Sequence, residues 1–205
     1  MYSLNKGGER GLGRSKEFDT ALVLHKAMEV FGQFGYEGAS MQELLSRLGI
    51  ARQSLYNTFG TKRDLFIAAL TRYLDDKNAQ VIAMLESPGS VKQSVRQIFQ
   101  ESLNALKDPE RSKACYIINS AIEQIPRDPE VAEYFDKQTK QLETAFYKAL
   151  VRAESQGELK KGSQDLSAVA RFLNQTRLSL TFQAKLTGDF DALQDLIDVS
   201  LSVLD

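Results

Sequence analysis

The 205-residue sequence predicts an all-α protein. Apolar residues recur at spacings of three and four in nearly every stretch between breakers, the period of a helix with one buried face. Only four prolines interrupt the chain, and runs of β-branched residues are few. The breakers that do occur, such as Ser87-Pro88-Gly89-Ser90 and Gly188-Asp189, divide the chain into about nine helix-length segments. An apolar fraction of 42% and a charged fraction of 26% are ordinary for a globular chain with a substantial core.

Composition also excludes several classes of function. One cysteine rules out an intramolecular disulfide framework and a cysteine-based zinc finger, and one histidine rules out a histidine-cluster metal site. No triad, carboxylate pair or phosphate loop stands out, so neither catalysis nor a cofactor is expected. No run approaches 18 apolar residues, and the first residues lack the apolar centre of a secretory signal. No membrane association is therefore expected, and the cytoplasm is the expected location. Residues 1–72 hold ten Lys/Arg against seven Asp/Glu, a balance of +3, while residues 73–205 hold sixteen against twenty, a balance of −4. A basic leading part on an acidic body suits a DNA-binding head on a body held off the phosphates, with a chance imbalance as the alternative.

Residues 1–16 form a Gly-rich stretch with Lys6, Arg10, Arg14 and Lys16. They read as a flexible basic arm that touches phosphates or the minor groove, or as a solvated tail. Phe18 to Gly35 is the first helix, started by Asp19 or Thr20, stopped by Gly35, and buried through Leu22, Ala27, Val30, Phe31 and Phe34. Ser40 caps the second helix, with Glu43 at capping-box spacing and Met41, Leu44, Leu45 and Leu48 inward. Gly49 makes the corner because a positive φ is cheap only for glycine. Ala51 to Phe59 is the third helix, with Leu55 and Phe59 inward. Arg52, Gln53, Ser54, Tyr56, Asn57 and Thr58 remain on faces that can reach out, the side-chain types that read base edges in the major groove. No acid lies between Ser46 and Arg63 to repel phosphate. Gly60 ends the third helix and Thr61 starts a long fourth one. Lys62 and Arg63 oppose the dipole there, either as phosphate ligands or as solvated surface cations.

The stretch GYEGASMQELLSRLGIARQSLYNTFGTKRDLF resembles the DNA-binding domain of TetR/AcrR-type transcriptional regulators. The Gly-Tyr pair at 35–36, the Leu55–Phe59 LYxxF and the GxKxxLF at 60–66 carry the likeness, which covers roughly residues 17–70. It implies a helix-turn-helix head over 17–66 and a helical ligand-binding and dimerisation body over 67–205. Tyr56 and Lys62 match the family's phosphate contacts, and Ser40 a capping hydroxyl that touches the DNA backbone. Arg52, Gln53, Ser54 and Asn57 match base-facing positions, and Thr61 completes the DNA-facing set. Two positions depart from the pattern. Ala51 stands where Ser or Thr usually caps the recognition helix, and Leu45 where a small Ala is common.

In the body, Val91 to Leu106 is amphipathic, Lys107-Asp108-Pro109 interrupts, and residues 113–125 are apolar nearly all round, hence buried. Asp128-Pro129-Glu130 opens the next helix with proline at its first position. Another helix starts at Ser163 or Asp165 and carries Phe172 inward, and the last one follows Gly188. Cys115 reads as a small buried hydrophobe or as a thiol sensor of oxidants or electrophiles. The last two helices either close a monomeric core or, as the resemblance implies, meet a twin in a four-helix bundle, giving a homodimer that reads a near-palindromic operator. The family's usual function for the body is to bind a small-molecule effector, which releases a repressor. Candidate lining residues are Phe99, Cys115, Tyr116, Asn119, Tyr134, Phe146, Phe172 and Gln175, with plain core as the alternative for the aromatics.

Overall fold

The computed structural model describes residues 18–205, so the expected basic arm of residues 1–16 lies outside the described residues. Most helices begin where the sequence offers a side-chain acceptor to the first unpaired N–H groups. The Asp19 carboxylate accepts from Ala21 and Leu22 to start α1 (Thr20–Gly38), and Ser40 accepts from Glu43 to start α2 (Met41–Leu48). The third helix, α3 (Arg52–Phe59), has Ala51 at its start and no side-chain cap. Thr61 and Asp64 close a full capping box at the start of α4 (Lys62–Glu86), and Ser90 caps α5 (Val91–Lys107). Asp108 and Asp128, each followed by proline, cap α6 (Pro109–Cys115) and α8 (Pro129–Ser155), with α7 (Ile117–Gln124) between them. Asp165 and Asp189 cap α9 (Leu166–Thr187) and α10 (Phe190–Leu201), and a 3₁₀ turn (Ser202–Leu204) follows.

The all-α reading holds, and about nine helical bodies are present among the described residues if α6 and α7 are taken as one. These two are split only by a local tightening. Tyr116 stays right-handed at φ −70°, ψ −5°, and Asn119 N–H bonds Tyr116 O three residues back. The break expected at 107–109 is a single residue, because Asp108-Pro109 starts a helix as soon as it ends one. Helix α1 changes direction at Gly35 (φ 75°, ψ 170°), as its glycine allows, and runs on to Gly38. Two of its expected inward residues, Leu22 and Phe34, face solvent instead, and Val23 and Met28 are buried in their place. The stripe is rotated because α1 is covered by α6 and α7 as well as by α2 and α4.

Two apolar clusters result. One joins α1–α4 to Ala114, Ile117, Ile118, Ala121 and Val131 of α6–α8, and the other fills the body. The head is thus packed onto the body along α1. At Gly32 the helices approach so closely that a Cβ would lie 2.1 Å from Lys113 O. Ser120 Oγ donates to Phe31 O at 2.7 Å, and Lys185 Nζ donates to Gly32 O at 3.0 Å. A second tie joins α4 to the start of α8. The Arg63 guanidinium donates to Asp128 through Nε (2.6 Å) and Nη2 (2.9 Å), and to Glu130 at 2.8 Å.

Candidate nucleic-acid interface

Helices α2 and α3 meet at Gly49, which is left-handed (φ 69°, ψ 28°) and has open space around it, so backbone conformation rather than crowding selects glycine. Leu44, Leu48 and Leu55 are buried at this corner, and Leu45 packs against the same cluster. With Leu55 fixed inward, Arg52, Gln53, Tyr56, Asn57 and Thr58 are exposed and Ser54 is half-buried. The expected base-reading set therefore lies on one short helix turned to solvent. Gln53 Nε2 donates to Asn57 Oδ1 at 2.8 Å, one turn on, so these two amides hold each other in place. The first N–H groups of α3 lack a side-chain acceptor because Ala51 has none to offer. Such orphan donors are a ready place for a phosphate oxygen.

The other expected contacts flank this helix. Tyr56 is 43% exposed. Ser40 is exposed, and its hydroxyl oxygen accepts from Glu43 N–H at 3.1 Å, which leaves its own proton free to donate. No return bond from Glu43 completes a box, since its carboxylate pairs with Arg47 at 2.7 Å. The Lys62 ammonium lies 4.7 Å from the Tyr36 ring centre and 3.4 Å from Glu37 O. Burial there pushes its pKa down from the ordinary lysine value. Tyr36 is itself stacked on Phe31 and edge-on to Phe66, so the Gly-Tyr pair of the motif supplies the platform that aims Lys62.

Two expectations change at the start of α4. Thr61 donates its hydroxyl to Asp64 at 2.7 Å and accepts from Asp64 N–H at 3.2 Å, so the capping box already occupies it. Arg63 belongs to the body rather than to a phosphate, because two carboxylates 65 and 67 residues away bind it directly. Their hydrogen bonds raise the guanidinium pKa further and hold Asp128 below its ordinary 3.8. Arg47, which lies over the Phe34 ring at 5.3 Å, is an exposed cation at this edge that the sequence reading passed over.

The eight residues expected to line one effector pocket do not come together. Phe99 and Phe146 are fully buried in the body core. Tyr134 joins a polar knot between α4 and α8, its hydroxyl donating to Asp75 at 2.7 Å while Gln138 reaches both. Tyr116 lies under the Lys185 ammonium. Asn119 is enclosed with neither amide atom bonded. Phe172 and Gln175 face outward from α9, because Leu173, Leu180 and Ala184 define its inward stripe. Of the eight, Cys115 lines a cavity, and its neighbour Lys113 pairs with Glu110 instead of with the thiol.

That cavity is double, with compartments of about 90 and 300 Å³. Tyr73, Lys77, Gln80, Ala105, Arg111 and Cys115 line both. The smaller compartment reaches Ile98, Glu101 and Arg177, and the larger reaches Ala21, His25 and Met28 of α1. Arg177 was missed from the sequence, yet it left a signal there. It stands in register with Leu173, Leu180 and Ala184 as the one charge on an apolar stripe.

A recognition helix turned to solvent beside an aimed lysine, set on an all-helical body, defines a helix-turn-helix DNA-binding regulator. The profile of bacterial regulatory proteins of the tetR family matches residues 23–69, and that of the tetracyclin repressor-like C-terminal domain matches residues 91–199. The chain is 69% identical over 194 residues to the HTH-type transcriptional regulator YezE of Bacillus subtilis (strain 168), covering 95% of this chain and 100% of YezE. It is 27% identical to the HTH-type transcriptional repressor ComR of Escherichia coli (strain K12), covering 94% of this chain and 92% of ComR. Among solved structures it resembles the TetR family regulator CifR, in a cysteine-substituted form complexed with 26 bp double-strand operator DNA. The TM-score is 0.78 at 26% identity, covering 93% of this chain and 98% of CifR. The chain belongs to the TetR family and is a DNA-binding transcriptional regulator.

Proposed function

We propose that this chain is a homodimeric repressor that a small-molecule effector, bound in the double cavity, releases from a near-palindromic operator in the cytoplasm. The observation that carries the reading is the cavity's wall. Helix α1 of the head and helices α5 and α6 of the body line the same space, with α4 running between them. A ligand that fits this space better in one setting of α1 against the body shifts the equilibrium toward that setting, and the heads move with it. Residues 17–66 then serve as the head and 67–205 as the body, joined at the Gly32 and Arg63 contacts. Repression is favoured over activation because the repressor ComR matches nearly the whole chain, whereas the activator FasR of Mycolicibacterium smegmatis matches 44% of it.

Dimerisation is supported by an apolar surface along the last two helices. Phe172, Phe182 and Leu186 on α9 and Leu196 and Val199 on α10 are all exposed, Leu186 at 65% and Val199 at 68%. Positions 172, 175, 179, 182 and 186 alternate steps of three and four, the seam of a helix that packs on another. In the proposed complex with DNA, Arg52, Gln53, Ser54 and Asn57 face bases, and Ser40, Tyr56 and Lys62 face phosphates.

The test is selection of operator sites from a random duplex library, followed by binding at several salt concentrations. The expected outcome is a near-palindrome with half-site centres about 34–36 Å apart, or a multiple of that. Affinity should fall steeply with salt and be lost in the Tyr56→Ala/Lys62→Ala double variant. An asymmetric selected site, or affinity indifferent to salt and to both substitutions, would overturn the reading.

A further inference from the structure

We propose that the effector is a small organic monoanion with an apolar tail, whose carboxylate is taken by Arg177; this rests on the effector reading above. Arg177 lines the smaller compartment from α9, and its Nε is shut off from solvent without a hydrogen-bond partner. Among the described residues no carboxylate comes within ion-pair distance of it. A guanidinium with a donor shut off from water and no anion beside it is costly, and its planar fork matches a carboxylate with two parallel hydrogen bonds. The residue is half-buried rather than sealed off, and it lines two cavities.

The surroundings narrow the ligand. Lys77 and Arg111 line both compartments and have no ion-pair partner among the described residues, so the space carries a surplus of positive charge. Glu101 in the smaller compartment opposes a second negative charge there, which favours a monoanion over a phosphate dianion, while Asp76 in the larger is already paired with Arg72 at 2.6 Å. Tyr73 lines the smaller compartment with a hydroxyl that is neutral at its ordinary pKa, and burial pushes that pKa further up. Val81, Met84, Ile98 and Leu106 give the same compartment an apolar side that suits a short hydrocarbon or an aromatic ring.

The experiment compares the full-length wild type with Arg177→Met, by thermal shift and by operator binding at constant ionic strength. The probes are butyrate, hexanoate, benzoate and phenylacetate, each beside its uncharged amide. At least one carboxylate should raise the wild-type Tm while its amide does not, and its Kd should weaken about tenfold or more in Arg177→Met. Ligand-free Arg177→Met should be at least as stable as the wild type, because an unpartnered cation has left the interior. If Arg177→Met fails to fold, Arg177 is structural and the proposal falls, unless Lys77→Met also weakens the carboxylate selectively over its amide. Equal responses to acid and amide, equal carboxylate affinity in the wild type and Arg177→Met, or no carboxylate binding by the wild type overturns it. The two readings fail separately. A carboxylate that binds through Arg177 without changing operator affinity removes the effector role and leaves the anion site. Uncharged compounds that release the operator while carboxylates stay unbound remove the anion and leave the effector role.

Discussion

Replacing Gly32 by alanine sets two physical effects against each other. Helix propensity alone favours the change, since alanine in a helix interior is worth about 1 kcal/mol over glycine. The structure opposes it. The new Cβ would lie 2.1 Å from Lys113 O and 3.1 Å from Ile117 N, both backbone atoms that cannot swing aside as a side chain would. Relieving the first contact requires α1 and α6 to part by roughly 1 Å, the gap to an ordinary C···O separation. Overpacking of this kind costs about 1–3 kcal/mol. The same displacement lengthens the bonds to Phe31 O (2.7 Å) and Gly32 O (3.0 Å), at about 1 kcal/mol for one lost bond. After subtracting the propensity gain, Gly32→Ala should destabilise by about 1–3 kcal/mol. For a chain of this length that lowers Tm by about 2–4 °C per kcal/mol. The assay is urea and thermal unfolding at one fixed protein concentration, since a dimer's stability depends on concentration. Operator affinity should change as well, because the displaced helix belongs to the head. A variant that is more stable than the wild type, with operator affinity intact, would refute the reasoning, for then propensity has won and the contact does not constrain the two parts.

Four further outcomes are expected. Ala51→Ser gives α3 the cap it lacks and should raise stability by about 0.5–2 kcal/mol, read as a higher urea midpoint; an unchanged or lower midpoint speaks against it. Lys62→Ala should weaken operator binding about equally across sequences and reduce the salt slope by about one, measured by anisotropy titration, whereas Asn57→Ala should relax preference at one base pair. Acid should unfold the protein partly through Asp128, whose carboxyl is held below its ordinary 3.8 chiefly by hydrogen bonds from Arg63. Its contribution is complete above the unfolded pKa and is lost as pH falls through the lowered folded value, so a stability limb below about pH 4 should shrink in Arg63→Gln. Tyr134→Phe should cost about 0.5–1.5 kcal/mol by opening the bond to Asp75, yet leave effector response unchanged, because Tyr134 lies in the α4–α8 knot and not in the double cavity.

The recognition stretch was the most legible part of the chain because its information is local. Ser40, Gly49, Leu55 and Gly60 act within one or two turns, so cap, corner and inward face follow from spacing alone. The missing cap at Ala51 could be read for the same reason. The effector candidates were not legible. Phe99, Phe146 and Phe172 look alike along the sequence, since each is an aromatic on an amphipathic helix. Only the neighbours brought in by the fold bury the first two in the core and leave the third outside.

The sequence by itself determined where most of the helices begin. Carboxylates or hydroxyls at Asp19, Ser40, Thr61, Ser90, Asp108, Asp128, Asp165 and Asp189 satisfy the first N–H groups of the residues that follow them, whatever the rest of the chain does. The tertiary structure alone decided what each helix meets. It rotated the buried stripe of α1 toward α6 and α7, gave Arg63 two carboxylates more than sixty residues away, and set Arg177 beside a cavity built from four other helices. Periodicity says that a helix has an apolar face, but packing against distant segments selects what covers it. In this protein that selection placed the head on the cavity wall.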